Sequence, residues 1–123
     1  MRPAVPLCGM EATSRKGTIR DRRFAAMPRR EVAGIEVPVA DSHAVRFLGL
    51  AHLDRDLAGP GLLIPRCRSV HTFGMRFEID IWFLDGAGDP VMVRRGVPSR
   101  RLLWCLSAAA VLEVVPVEAG GEN

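Results

Sequence analysis

The sequence predicts a β-rich, mainly antiparallel domain, α+β tending to all-β, built as a compact open barrel or rolled sheet with one or two short helices. Three observations carry that expectation. Six short apolar segments have strand length, turn residues separate them at close intervals, and only one stretch repeats apolar residues with a helical period. The 123 residues amount to one domain, long enough to bury a core without metal or disulfide staples. A composition of 48% hydrophobic and 25% charged residues is that of an ordinary globular chain. Apolar runs stay far below the roughly 20 residues that cross a bilayer as a helix.

Taken in order, Gly34 to Ala40 reads as a short strand in which Ile35, Val37 and Val39 alternate with Glu36 and Pro38. Pro38 suits an edge, since it donates no ladder hydrogen bond. Asp41 or Ser42 can cap a helix running to about Leu53, with Ala44, Phe47, Leu48 and Ala51 on one face. Gly49 inside that helix costs about 1 kcal/mol relative to Ala, which close packing would justify. Gly59-Pro60-Gly61 turns the chain into an apolar strand, Leu62 to Ile64, stopped by Pro65. Ile79 to Leu84 is the next clear strand. Gly86-Ala87-Gly88-Asp89 then turns it back as a hairpin to Val91–Arg95, and Ser107 to Val117 supplies the last strand.

Charge divides the chain. Residues 1–30 carry eight basic groups against two acidic ones, whereas residues 31–123 carry nine against twelve. The basic excess therefore belongs to an N-terminal tail, expected to be disordered because it has no hydrophobic period. The domain is expected over residues 31–120, with 121–123 as a short C-terminal tail. Phe24 alone interrupts the basic run, which gives no strong nucleic-acid signal. The first sixteen residues lack the long apolar segment of a secretory leader, and three cysteines, Cys8, Cys67 and Cys105, cannot all pair within one chain. Both features make the cytoplasm the default compartment.

The most unusual stretch runs from Cys67 to Asp85, where two arginines, a histidine, a threonine and carboxylates interrupt an apolar segment. A polar group buried without a partner costs roughly 1 to 3 kcal/mol, so such groups must be solvated, mutually paired or used. If Val70 to Leu84 is extended, alternation places His71, Phe73, Met75, Phe77, Ile79, Ile81 and Phe83 on a core face. Thr72, Gly74, Arg76, Glu78 and Asp80 then form a polar ledge.

Four marks in order give the chain a family likeness: Arg46-Phe47-Leu48-Gly49-Leu50, Gly61-Leu62-Leu63-Ile64, the block Ser69 to Asp80, and Val111-Leu112-Glu113 followed by Gly120. On these the body resembles the uncharacterised bacterial and archaeal family called domain of unknown function 192. Within the central block, His71, Thr72 and Gly74 stand where many relatives have Trp, Met and Asn, and Glu78 stands where Pro is usual, defining an SVHTFGMRF subtype. The resemblance implies a compact β-rich fold without an assigned reaction, and envelope association for many relatives. Relatives that continue past the final Gly also imply an uncovered sheet edge here, open to self-association. Asp80 is the ledge carboxylate that the motif carries.

The leading functional expectation is a non-enzymatic binding or interaction module. Its polar groove around residues 68–80 is lined by Arg68, His71, Thr72, Arg76 and Asp80 and takes an unknown ligand or protein partner, with no cofactor and no metal. The alternative is a small enzyme in which His71 and Asp80 serve as general acid and base and Cys67, flanked by Arg66 and Arg68, as nucleophile. Beside these stand plainer readings: a surface charge ladder for Arg76, Glu78 and Asp80, a core imidazole bonded to a carbonyl for His71, and a structural thiol for Cys67. Cys67, His71 and Cys105 lack the second close ligand pair of a zinc site. Ser69, His71 and Asp80 lack a nucleophile elbow. Glu113, a carboxylate in an apolar strand, is either an outward edge residue or half of a structural ion pair with Arg46, Arg68 or Arg76.

Overall fold

The computed structural model describes residues 24–117, which hold eight strands, one α-helix and one 3-10 turn. Expectations about the basic tail, the leader and the C-terminal tail fall largely on residues outside this span. The chain begins as a hairpin of β1 (Arg29–Val32) and β2 (Ile35–Pro38). Ala33 at φ 53° and Gly34 at φ 86° join the strands, the positive pair that a two-residue type I′ turn requires. The expected boundary at residue 30 thus falls inside a strand that alternation did not reveal, because three of its four residues are exposed.

Ser42 caps α1 (His43–Leu48), its hydroxyl accepting the Val45 N–H at 3.2 Å. The helix stops at Leu48 and not near Leu53, since Gly49 adopts φ 55°, ψ −128°, a conformation that residues with a Cβ avoid. That early end changes the buried face. Val45 points inward, while Ala44 and Phe47 of the expected stripe are exposed. Leu50, Ala51 and Leu53 still reach the core from the turns that follow. The 3-10 turn, Arg55–Leu57, leads towards β3 (Gly61–Pro65).

The extended run expected from Val70 to Leu84 is broken. It consists of β4 (Ser69–His71), a series of turns, and β5 (Ile79–Leu84). Asp85 then shapes the hairpin turn, its Oδ1 accepting the N–H groups of Ala87 and Asp89 at 2.9 and 3.0 Å. It leads into β6 (Pro90–Val97), followed by β7 (Leu102–Trp104) and β8 (Ala110–Val114). The main sheet has the order β3-β8-β5-β6 with every neighbour antiparallel, and β4 pairs with β7 in a separate ribbon. The fold is mostly antiparallel, as the sequence predicts, and its sheets do not close into a barrel.

Each face of the main sheet is covered differently. Leu62, Ile64, Ile79, Ile81, Phe83 and Val111 meet Val45, Leu50, Ala51 and Leu53 on one side. Leu63, Leu84 and Leu112 meet Val32, Val37 and Val39 of the hairpin on the other. Full burial of each large apolar side chain is worth about 1.5 to 3 kcal/mol, whereas exposed ion pairs such as Arg29–Glu36 give about 0.2 to 1 kcal/mol. The two apolar layers therefore determine how the sheet is held. No helix among the described residues is long and apolar enough to cross a membrane.

Candidate functional site

Glu113 is the residue around which a site forms. In β8 it lies opposite Leu62 on one neighbouring strand and Ile81 on the other, so alternation turns it to the helix-covered face. Only 3% of it is exposed. Burial drives its pKa up from 4.5 to about 7, although the Leu50 N–H donates to the carboxylate and opposes the rise. Its Oε1 has no hydrogen-bond partner. The expected arginine pair is not formed: Arg46 donates to the carbonyls of Pro65 and Arg66, and Arg76 pairs with Asp54 at 2.8 Å.

The carboxylate lines a cleft of about 200 Å³ between α1, β4, β7 and β8, together with Arg46, Phe47, Val70, His71 and Leu102. His71 ends β4 with its ring tilted against two phenyl groups, 5.0 Å from that of Phe47 and 5.8 Å from that of Phe73. Its Nδ1 accepts the Phe73 N–H at 3.2 Å, which puts the proton of the neutral ring on Nε2. Nε2 is buried and has no partner. Among the fully buried side-chain atoms on the walls of the cleft, one donor and one acceptor are thus unmet. Buried polar groups nearly always have partners, and each exception asks for an explanation.

Phe47, His71 and Leu102 also wall an adjoining apolar groove of about 540 Å³ with Leu48 and Phe73. Phe47, Phe73 and Leu102 are 71%, 54% and 61% exposed, so the groove opens to solvent. A separate hollow of about 390 Å³ lies between the β1–β2 turn and the Asp85–Gly88 turn, but none of the unmet buried side-chain atoms belongs to its walls.

The other residues expected in a groove are dispersed. Thr72 is fully buried and not on a ledge: its Oγ1 donates to the Pro98 carbonyl at 2.7 Å and accepts the Arg101 N–H at 2.8 Å. It ties the turn after β4 to the segment before β7. Asp80 is also buried, its Oδ1 accepting the Gly96 N–H at 2.9 Å and its Oδ2 lying 3.4 Å from Arg95. Two β6 residues, Arg95 and Gly96, are skipped where Asp80 lies in the β5–β6 ladder, making a bulge that the carboxylate fastens. Alternation places Asp80 with Trp82 and Leu84 on the hairpin-covered face, opposite Ile81 and Glu113. His71 and Asp80 thus do not form an acid–base pair.

Arg68 is exposed beside another hollow, lined by Arg66, Cys67 and Ala108, and Cys67 donates its thiol proton to the Ser69 carbonyl at 3.0 Å. Cys67 and Cys105 are free thiols, and no His, Cys, Asp and Glu cluster among the described residues could hold a metal ion. Sequence reasoning missed Arg46, Phe47, Phe73 and Leu102 as walls. The available signal was Glu113 itself, a lone carboxylate in an apolar strand.

The family model of DUF192, described as "Uncharacterized ACR", matches residues 25–121. The chain belongs to the DUF192 family. A solved structure from Sinorhizobium meliloti 1021, provisionally described as a transcription regulator, is similar at 17% identity and a TM-score of 0.56, over 76% of this chain and 82% of that one. A protein of unknown function from Novosphingobium aromaticivorans is similar at 15% identity and a TM-score of 0.53, over 93% and 92%. At these identities the likeness shows that the DUF192 chain shares their fold. No curated protein gives a significant sequence match.

Proposed function

We propose that this DUF192 domain is a non-enzymatic binding module whose site is the cleft floored by Glu113 and walled by His71, with the Phe47–Phe73–Leu102 groove holding the apolar part of a small ligand. One observation carries the reading: two buried polar atoms, His71 Nε2 and Glu113 Oε1, lack partners on the walls of the same cleft. Leaving each unmet costs about 1 to 3 kcal/mol, a cost that a ligand or ordered water offsets on entering. Of the residues expected in a groove around 68–80, His71 remains in this proposal. Thr72 and Asp80 hold backbone turns, and Arg76 holds Asp54.

A second reading rests on the pKa of Glu113, near 7, which suits a proton-transferring group. Binding is favoured because a ligand alone meets both His71 Nε2 and Glu113 Oε1, and Cys67, the nucleophile of the enzymatic alternative, lines a different hollow. A thermal-shift screen of a small-molecule library on the full chain and on His71→Phe tests the proposal. Hits that stabilise the wild type and lose their effect in the variant support it. Hits that stabilise both equally contradict it.

A further inference from the structure

We propose that the cleft recognises a neutral primary carboxamide, carried on an aromatic or other apolar body that occupies the adjoining groove. The inference rests on the binding reading above and adds the chemistry of the ligand's head.

Each wall of the cleft still needs a different group. Glu113 offers an acceptor, Oε1, on a residue only 3% exposed, and His71 offers a donor, Nε2–H, because its Nδ1 is already engaged by Phe73. An ammonium head would satisfy Glu113 but present only donors to the His71 N–H and face the Arg46 guanidinium on the same wall. A carboxylate head would satisfy His71 but oppose Glu113, which is mainly ionised above its pKa of about 7, while Arg46 is already held by the Pro65 and Arg66 carbonyls. A carboxamide presents an N–H to Glu113 and a C=O to His71 without carrying charge into the cleft. Its planar body leaves the polar cleft past Phe47, His71 and Leu102, the three residues shared with the groove. An aromatic body would meet the phenyl rings of Phe47 and Phe73 on the wall of that groove.

The test uses benzamide, benzoate and benzylamine, which place three heads on the same ring, titrated into the isotopically labelled full chain at pH 7.5. Two backbone amides report on the site without mutation: Leu50, which donates to Glu113, and Phe73, which donates to His71. The expected result is that benzamide shifts both resonances in parallel and binds about tenfold or more tightly than either charged probe, the discrimination of one unmatched buried hydrogen bond. His71→Phe should weaken benzamide by about tenfold. Tighter binding by benzoate or benzylamine, still read at Leu50 and Phe73, overturns the carboxamide assignment and leaves the cleft as a binding site. Failure of all three probes to move either resonance overturns both.

Discussion

The carboxylate of Glu113 occupies the space where Gly49 would place a Cβ: its Oε1 lies 2.8 Å from that position and its Oε2 3.1 Å. A contact of 2.8 Å is shorter than a real Cβ makes, so the Glu113 carboxylate would have to shift, and the positive φ of Gly49 separately disfavours any side chain. The glycine that ends the helix and the carboxylate that floors the cleft are therefore one device. Gly49→Ala should cost about 2 to 4 kcal/mol of stability, part strain and part collision. In a Glu113→Ala background the collision disappears, and the cost should fall by about 1 kcal/mol or more in a double-mutant cycle measured by denaturant unfolding.

Glu113 also makes stability depend on pH. Its pKa is raised from 4.5 to about 7, so the folded state holds a proton that the unfolded state releases between those values. This contribution is fully present below about pH 4.5 and is lost as pH rises through 7. Linkage gives a loss on the order of a few kcal/mol. Comparison with Glu113→Gln isolates the effect from other carboxylates: the stability of wild type minus variant should fall between pH 5 and pH 8. A pH-independent difference would contradict the buried carboxylate.

Thr72 should tolerate little. Thr72→Val keeps the shape but leaves the Pro98 carbonyl and the Arg101 N–H without its hydroxyl, at a cost of about 1 to 3 kcal/mol. Thr72→Ser retains both bonds and should lose less, which guanidinium unfolding of the two variants would compare.

Asp80 supports the bulge from the opposite face. Asp80→Ala removes the acceptor for the Gly96 N–H and the Arg95 contact, and should cost about 1 to 3 kcal/mol. Ligand affinity at the Glu113 cleft should stay unchanged, as measured by calorimetry with any cleft ligand. A tenfold loss would mean that the two faces are coupled.

Strand positions were legible in the sequence where burial imposes a pattern. Ile79 to Leu84 and the turn at Gly86–Asp89 appear nearly as expected, because apolar runs and turn glycines are local signals. β1 and β7 were not legible. Their residues are mostly exposed and pair only with neighbours in small ribbons, so nothing in their own composition requires the strand. Strict alternation through Val70 to Leu84 failed because the turns after His71 reset the faces, burying Thr72 and exposing Phe73. The site was legible only in part. His71 and Glu113 both stand out as polar residues in apolar context, but their meeting depends on β4 and β8 converging beside α1, a tertiary fact that spacing does not encode.

The most direct test is a map of where a bound ligand lies. Intermolecular nuclear Overhauser contacts should be recorded from a screening hit to the full chain. Contacts to Phe47 and Leu102, with matching shifts at the Leu50 and Phe73 amides, are the predicted result. Contacts confined to Ala108 and Cys67, or to the Asp85–Gly88 turn, would contradict the Glu113–His71 cleft as the binding site.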